Sequence, residues 1–414
     1  MIKKTNLPII KDYFSYLVAK IIPGLTGLLS IVLFFNILGP KEYGRYSLLF
    51  SFVNMCSAFS FGWLGQSIIR YYIKMKNNNN LSDNIIGGSI IASFVCLIII
   101  SGFQYFEFPH YSNPLVLWIL AISIGGFTIS SNYFQSKQNP SMVLKLNFLQ
   151  AILSVVVPLI LLNIFNPIHF NMIKGLIVAY STPFIIIVLK RKYKTIKKLN
   201  FSLKTIQPLV QYGVPLSFWF VISLSQRFME RYFVEYYLGS DIMGSYAGYV
   251  EVFTRMFSII LFPLTLAVHP RIMNLWNNNN IKEAKDMLKQ SLFLQASVLA
   301  ILLILFIPFK TNIFNLMLFI FPELDVSLSP ILIPILLSGF IWQYALLIHK
   351  PLELKEKSGT MLLFILISAI ITIIGNNIFL PKYGILATAY TSVASGIIYL
   401  LLSTIASRAL WLRH

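Results

Sequence analysis

The sequence predicts an all-α integral membrane protein of about twelve transmembrane helices, arranged as two parallel six-helix bundles. Three observations predict it. Of 414 residues, 57% are hydrophobic and 11% charged, and the mean hydropathy is +0.75, a composition that excludes a water-soluble enzyme. The apolar residues gather into long runs divided by short polar breaks, and a spanning helix needs about 20 of them. Finally, features of the first half recur in the second at an offset of 200 residues.

The runs fall in order at 13–38, 46–64, 85–103, 115–134, 142–165 and 173–189, and after a basic stretch at 209–238, 243–268, 288–308, 331–348, 361–380 and 385–407. They are too long and continuous for barrel strands, and a bilayer offers no water to unpaired backbone groups, so a helical bundle follows. The expected organisation is a six-helix bundle over 1–189, a basic cytoplasmic linker over 190–208 and a second six-helix bundle over 209–414. The first run is long enough to span and no small-residue cleavage site follows it, so it reads as a retained helix. No break has room for a soluble domain, and no G-x-x-x-x-G-K-[ST] loop occurs, so the chain is not expected to hydrolyse nucleotide.

The net charge of +19 would suggest nucleic acid in a soluble protein; here the positive-inside rule accounts for it first, and no nucleic acid is expected. Alternate breaks hold about 24 of the 33 basic residues, among them the seven of the segment KRKYKTIKKLNFSLK that begins at Lys190. The other set holds Lys41, Arg45, Lys174, Lys310 and Lys382. This asymmetry places both termini and the central loop in the cytoplasm. That loop reads as a topology-fixing linker or, alternatively, as an anionic-lipid patch. Cys56 and Cys96 read as isolated core thiols, and the five histidines show no metal-ligand spacing.

The asparagine runs at 77–80 and 277–280 keep the 200-residue offset, as do Leu38-Gly39, Gly44 and Tyr46 with Leu238-Gly239, Gly244 and Tyr246. Each copy of L-G-x-x-x-x-G-x-Y lies on the turn between the first and second helix of its half. An even number of helices per copy gives both copies the same orientation, hence parallel repeats about an axis along the membrane normal. Transporters built this way bind substrate between the halves and expose it alternately to each side.

Ionisable residues inside membrane spans are costly and point to function. The seventh helix carries Arg227, Glu230 and Arg231, and the eighth Glu251 and Arg255. The hairpin turns near Asp241, so Arg231 and Glu251 share a depth of roughly 10 to 15 Å below the turn, with Arg227 and Arg255 one turn deeper. One reading is an Arg231–Glu251 pair that only locks the hairpin, with Glu230 neutralising a further arginine. The other follows from three arginines against two carboxylates: a surplus cation at that depth favours a water-filled, anion-binding lumen. Lys20 and Arg70 sit nearer the inner leaflet, where they either snorkel to headgroups or meet an anion at the cytoplasmic mouth. Most tyrosines and tryptophans suit the interfacial belt or core, while Asn147, Gln150, Gln343, Asn376 and Asn377 suit helix-to-helix hydrogen bonds, with a sugar path as the alternative.

L-G-P-K-E-Y-G-R-Y at the first turn, Y-G-V-P-L from Tyr212, E-R-Y-F-V-E-Y-Y-L-G from Glu230, M-G-S-Y-A from Met243 and L-P-K-Y-G-I-L-A-T-A from Leu380 resemble one transporter branch. It is the polysaccharide-transport (Wzx-type O-antigen/lipid-linked oligosaccharide flippase) branch of the multidrug/oligosaccharidyl-lipid/polysaccharide exporter (MOP) superfamily. The resemblance covers nearly the whole chain; Glu230 stands where the family often has aspartate, so the carboxylate is kept.

It implies a MATE/MOP-like fold and a flippase that moves undecaprenyl-pyrophosphate-linked oligosaccharide, the unit of O-antigen, capsule or a related polysaccharide, to the outer leaflet. The implied location is the bacterial cytoplasmic (inner) membrane. Membrane lipid, a polysaccharide polymerase and chain-length proteins are its implied partners, H+ or Na+ its coupling ion, and no cofactor or metal is required. The candidate substrate-binding residues are then Arg227, Arg231, Arg255, Lys20 and Arg70, with Glu230 and Glu251 in ion pairing or coupling. An antiporter for drugs or organic cations, from the same superfamily, is the alternative; it needs acidic residues unmatched by arginine. A membrane-embedded polymerase or glycosyltransferase needs a larger extracytoplasmic loop or an aqueous catalytic acid, so the chain is not expected to be an enzyme.

Overall fold

A computed structural model of the protein describes residues 7–75, 81–105, 112–137, 139–190, 203–355 and 357–412. These are helical apart from short connections, and no strand occurs among them. The helices are α1 (Leu7–Met75), α2 (Leu81–Tyr105), α3 (Pro114–Ser136), α4 (Pro140–Ile164), α5 (His169–Lys190), α6 (Leu203–Leu238), α7 (Ser240–Asn277), α8 (Ile281–Ile320), α9 (Leu332–Ile348), α10 (Lys350–Leu354), α11 (Ser358–Tyr383) and α12 (Ile385–Leu412). α1 is two rods joined at Gly39, whose φ of 71° and ψ of 166° are open to glycine and closed to other residues. With those rods taken separately and the five-residue α10 set aside, six rods precede the basic stretch and six follow it. Among the described residues, nine stretches are long and apolar enough to cross a membrane, and one of them, Thr26–Ile68, contains both rods of α1.

Sequence chemistry explains the breaks. Asn113 caps α3 by accepting from Leu115 N at 2.9 Å, and Asn139 caps α4 by accepting from Met142 N at 3.1 Å. In both cases proline follows at the first helical position, where its missing N–H costs nothing.

Lys310 is expected in a break between spans, but α8 continues beyond the apolar run, through Pro308 to Ile320, so Lys310 lies on a helix. The residues after Pro308 remain largely apolar, and spanning helices tolerate proline where local adjustments satisfy the freed carbonyl. A 3-10 turn, Val326–Ile331, then leads into α9, capped by Asp325 through Ser327 N at 2.9 Å.

The chain forms two compact units, one of Met1–Gly44 with Met229–His414 and the other of Arg45–Phe228. These boundaries follow packing within each unit. In the Arg45–Phe228 unit, Ser57 Oγ donates to Ala121 O at 3.1 Å and Trp118 Nε1 to Ser93 O at 2.9 Å, and Phe52 meets Phe103 edge to face. The glycine of Y-G-V-P-L has a steric role there: a β-carbon on Gly213 would lie 2.1 Å from Trp63 O. In the other unit, α11 and α12 are tied by Ser368 Oγ donating to Ser395 O at 2.9 Å, and a β-carbon on Gly375 would meet Thr391 Cγ2 at 2.5 Å. Small residues and hydroxyls at such crossings are how helices pack where lipid supplies no hydrophobic drive. Cys56 and Cys96 are both free and buried.

Candidate functional site

Gly239 sets the geometry of the α6–α7 hairpin. Its φ of 86° lets the chain reverse between Leu238 and Ser240, so α7 starts at once, two residues before the turn expected near Asp241. Arg231 Nη2, eight residues before Gly239, donates to Glu251 Oε1, twelve after it, at 3.0 Å, which is the pair of one of the two readings of the sequence. Tyr43, near the Gly39 turn of α1, donates its hydroxyl to Glu251 Oε2 at 3.2 Å. Both carboxylate oxygens of Glu251 are thus engaged. Arg231 is only 8% exposed, so the carboxylate keeps a desolvated guanidinium neutralised.

Glu230, one residue earlier on α6, turns about 100° away around the helix. It is buried, and Ser392 of α12 donates to its Oε1 at 2.6 Å while Tyr246 of α7 donates to its Oε2 at 3.4 Å. Ser338 of α9 extends the chain by donating to Ser392 Oγ at 3.1 Å. Hydroxyls from α12 and α7 thus reach the two oxygens of one carboxylate, with a third hydroxyl, from α9, behind the first. Hydroxyls can give or take a hydrogen bond, so such a site can hold the carboxyl in either protonation state.

Arg255 lies one turn beyond Glu251 on α7. No hydrogen bond or ion pair of Arg255 occurs among the described residues, for Glu251 is turned to Arg231 and Tyr43. Its guanidinium rests instead on bare backbone: a β-carbon on Gly27 of α1 would lie 2.1 Å from Arg255 Nη1. A half-buried guanidinium seated over a glycine keeps its five donors for something else. Sequence reading missed Gly27, although it ends the pattern P-G-L-T-G that begins at Pro23.

The remaining expected site residues are placed less closely. Arg227 is exposed on α6 and belongs to the Arg45–Phe228 unit. Lys20 and Arg70 fall on α1, and their side chains lie outside the described residues, as does the basic segment 191–202. Of the amides, Asn377 accepts from Tyr237 OH at 2.8 Å, while buried Asn376 donates to Thr372 O on its own helix at 2.8 Å.

A second polar cluster went unread in the sequence. His349, fully enclosed at the end of α9, makes contact with Tyr399 OH through Nδ1 at 2.9 Å and with Glu353 Oε1 through Nε2 at 3.0 Å. A carboxylate only accepts, so Nε2 carries the proton and Nδ1 accepts from the tyrosine. Lys350 donates to the other oxygen of Glu353, and His269 of α7 lies 3.8 Å from it. Burial, and then Lys350, hold the His269 pKa below its usual 6.5, so that ring is neutral at neutral pH. The signal available was H-K-x-x-E, whose i,i+4 and i,i+3 spacings bring all three onto one helical face.

The family model for "Polysaccharide biosynthesis protein" matches residues 9–276, more than half of the chain. The chain belongs to this family. Among curated proteins, an uncharacterized membrane protein of Methanocaldococcus jannaschii is 21% identical over 394 residues, covering 87% of this chain and 76% of its own length. Several solved structures share the fold of this family member. The lipid II flippase MurJ, in an inward closed conformation, matches with a TM-score of 0.73 at 18% identity, over 97% of this chain and 89% of its own. An inward-facing multidrug resistance MATE family transporter of the MOP superfamily matches with a TM-score of 0.69 at 11% identity, over 94% and 95%. A MOP superfamily transporter from Pyrococcus furiosus matches with a TM-score of 0.62 at 13% identity, over 99% of each. The MATE/MOP-like architecture expected from the sequence is therefore the one observed, in a multi-pass membrane protein.

Proposed function

We propose that the protein is a flippase that moves undecaprenyl-pyrophosphate-linked oligosaccharide from the inner to the outer leaflet of a bacterial cytoplasmic membrane by alternating access. It transports and does not catalyse. The observation that carries this reading is Arg255, an arginine without a carboxylate partner among the described residues, held on the Gly27 backbone within the span Ser240–Thr265. A cation at such a position is expensive unless water or an anion faces it, and a guanidinium matches pyrophosphate oxygens two at a time. Membership of a polysaccharide biosynthesis family and the likeness to a lipid II flippase support a lipid-linked glycan as the bearer of that anion.

In this scheme Arg255 and Arg227 attract the pyrophosphate along its path, Lys20 and Arg70 receive it at the cytoplasmic mouth, and Arg231 is held by Glu251. Glu230 serves as the coupling carboxylate, because its hydroxyl surroundings accommodate either protonation state. The two halves, 1–189 and 209–414, are the moving bodies, and the polyprenyl chain stays in lipid beside them. The deciding experiment deletes the gene: undecaprenyl-linked repeat units accumulate facing the cytoplasm and surface polysaccharide disappears. Unchanged levels of both would refute the reading.

Orientation has its own test. Reporters fused after Lys198 and Asn280 are expected to read cytoplasmic, and one after Asp241 external, because the basic residues partition that way. An external signal at Lys198 would invert the proposed direction of transport.

A further inference from the structure

The two L-G-x-x-x-x-G-x-Y turns meet each other, and they do so reciprocally. A β-carbon on Gly44 would lie 2.5 Å from Ser240 O and 2.9 Å from Gly244 N. A β-carbon on Gly244 would lie 1.8 Å from Pro40 O and 2.6 Å from its carbonyl carbon. In the repeat, 40 corresponds to 240 and 44 to 244, so each glycine of one copy faces the backbone four residues earlier in the other copy. That is the pattern of a two-fold, self-complementary contact, here within one chain. The turns that present it also correspond, with φ, ψ of 71°, 166° at Gly39 and 86°, 170° at Gly239. What each glycine meets is backbone, so no rotamer change could admit a side chain.

We propose that this glycine joint is the external seal of the transporter, closed in the present structure and parted when substrate is released outside. The proposal rests on the alternating-access reading given above. A joint made of bare backbone suits a gate: it gains close van der Waals contact and Cα–H···O contacts when shut, each weak, and it leaves no buried charge uncompensated when open. The helix face below the joint is closed off accordingly: Ala247, one turn beyond Gly244 on the same face of α7, is fully buried.

The test measures access to that face. In a chain carrying Cys56→Ala and Cys96→Ala, Ala247→Cys is the single thiol, and a membrane-impermeant maleimide is applied to the outside of intact cells. Gly44→Val or Gly244→Val should speed labelling at least about fivefold by shifting the population toward the open state. Gly44→Ala, whose single methyl already meets Ser240 O, should act in the same direction if the valine variants do not accumulate. Gly102→Ala, at a glycine with nothing within 4 Å, serves as the control and should change nothing. Labelling that stays at the parental rate in inserted Gly44→Val, Gly244→Val and Gly44→Ala proteins would overturn the seal. Failure of the transport reading looks different. Labelling would still rise in the glycine variants, but deletion of the gene would leave lipid-linked repeat units at their normal level.

Discussion

Arg255→Ala and Arg255→Glu are expected to abolish surface polysaccharide, with the protein present in the membrane at its normal level. Arg255→Lys retains part of the activity, because a point cation still attracts phosphate while losing the planar fork that grips two oxygens at once. The loss should be large because the residue has no stabilising partner to lose. No carboxylate of the described chain is left buried and unpaired when Arg255 goes, so folding is spared and the defect falls on transport. Arg227→Ala should act in the same direction, and the double variant should be at least as deficient as either single one. A companion change isolates position from charge: Gly27→Ala keeps Arg255 but pushes its guanidinium off the α1 backbone, and export should fall by about tenfold or more. Both measurements compare surface glycan with membrane protein level, since misfolding would imitate loss of transport. Normal export by Arg255→Ala and Arg227→Ala, singly and together, would defeat the cationic mechanism and favour the antiporter.

Features that depend on neighbours in the chain were legible in the sequence. Twelve apolar runs match twelve rods among the described residues, and a pairing of Arg231 with Glu251 could be read from two short-range charges on either side of one tight hairpin. Features that depend on residues far apart were not. Glu230 takes its hydroxyl donor from Ser392, 162 positions away, and no periodicity announces which helix will lie against which. The seat of Arg255 on Gly27 was hidden for a related reason: glycine signals close approach but does not name what approaches. The repeat occupied both sides of this divide. Its glycines at 44 and 244 were visible as a pattern at an offset of 200, yet that they face one another emerges only when α1 and α7 are folded together. The Lys310 placement failed because the apolar run was bounded at 308, whereas a spanning helix with other means of satisfying its backbone continues past that proline.

The second large effect concerns the Arg231–Glu251 pair, where folding and not transport should respond first. Glu251→Gln leaves an 8%-exposed guanidinium without its counter-charge, and breaking one side of such a buried pair costs about 3 to 5 kcal/mol. Arg231→Gln strands the carboxylate instead, a milder loss because Glu251 is the more exposed partner and keeps Tyr43. With both glutamines in place no charge remains to strand, and the two amides can bond across the same gap, so most of the stability should return. Tyr43→Phe removes one hydrogen bond to a charged group and should cost about 1.5 to 3 kcal/mol, but only while Glu251 is ionised and paired. In the doubly substituted background it should cost less. The measurement is a double-mutant cycle on the thermal midpoint of purified protein in detergent, read beside export in cells. Recovery of both stability and export in the double variant would mean that Arg231 serves the hairpin, and that the pyrophosphate does not need it. Recovery of stability with export still absent would assign Arg231 to the substrate path along with Arg255, whereas purely additive losses would show that the two side chains are not coupled at all.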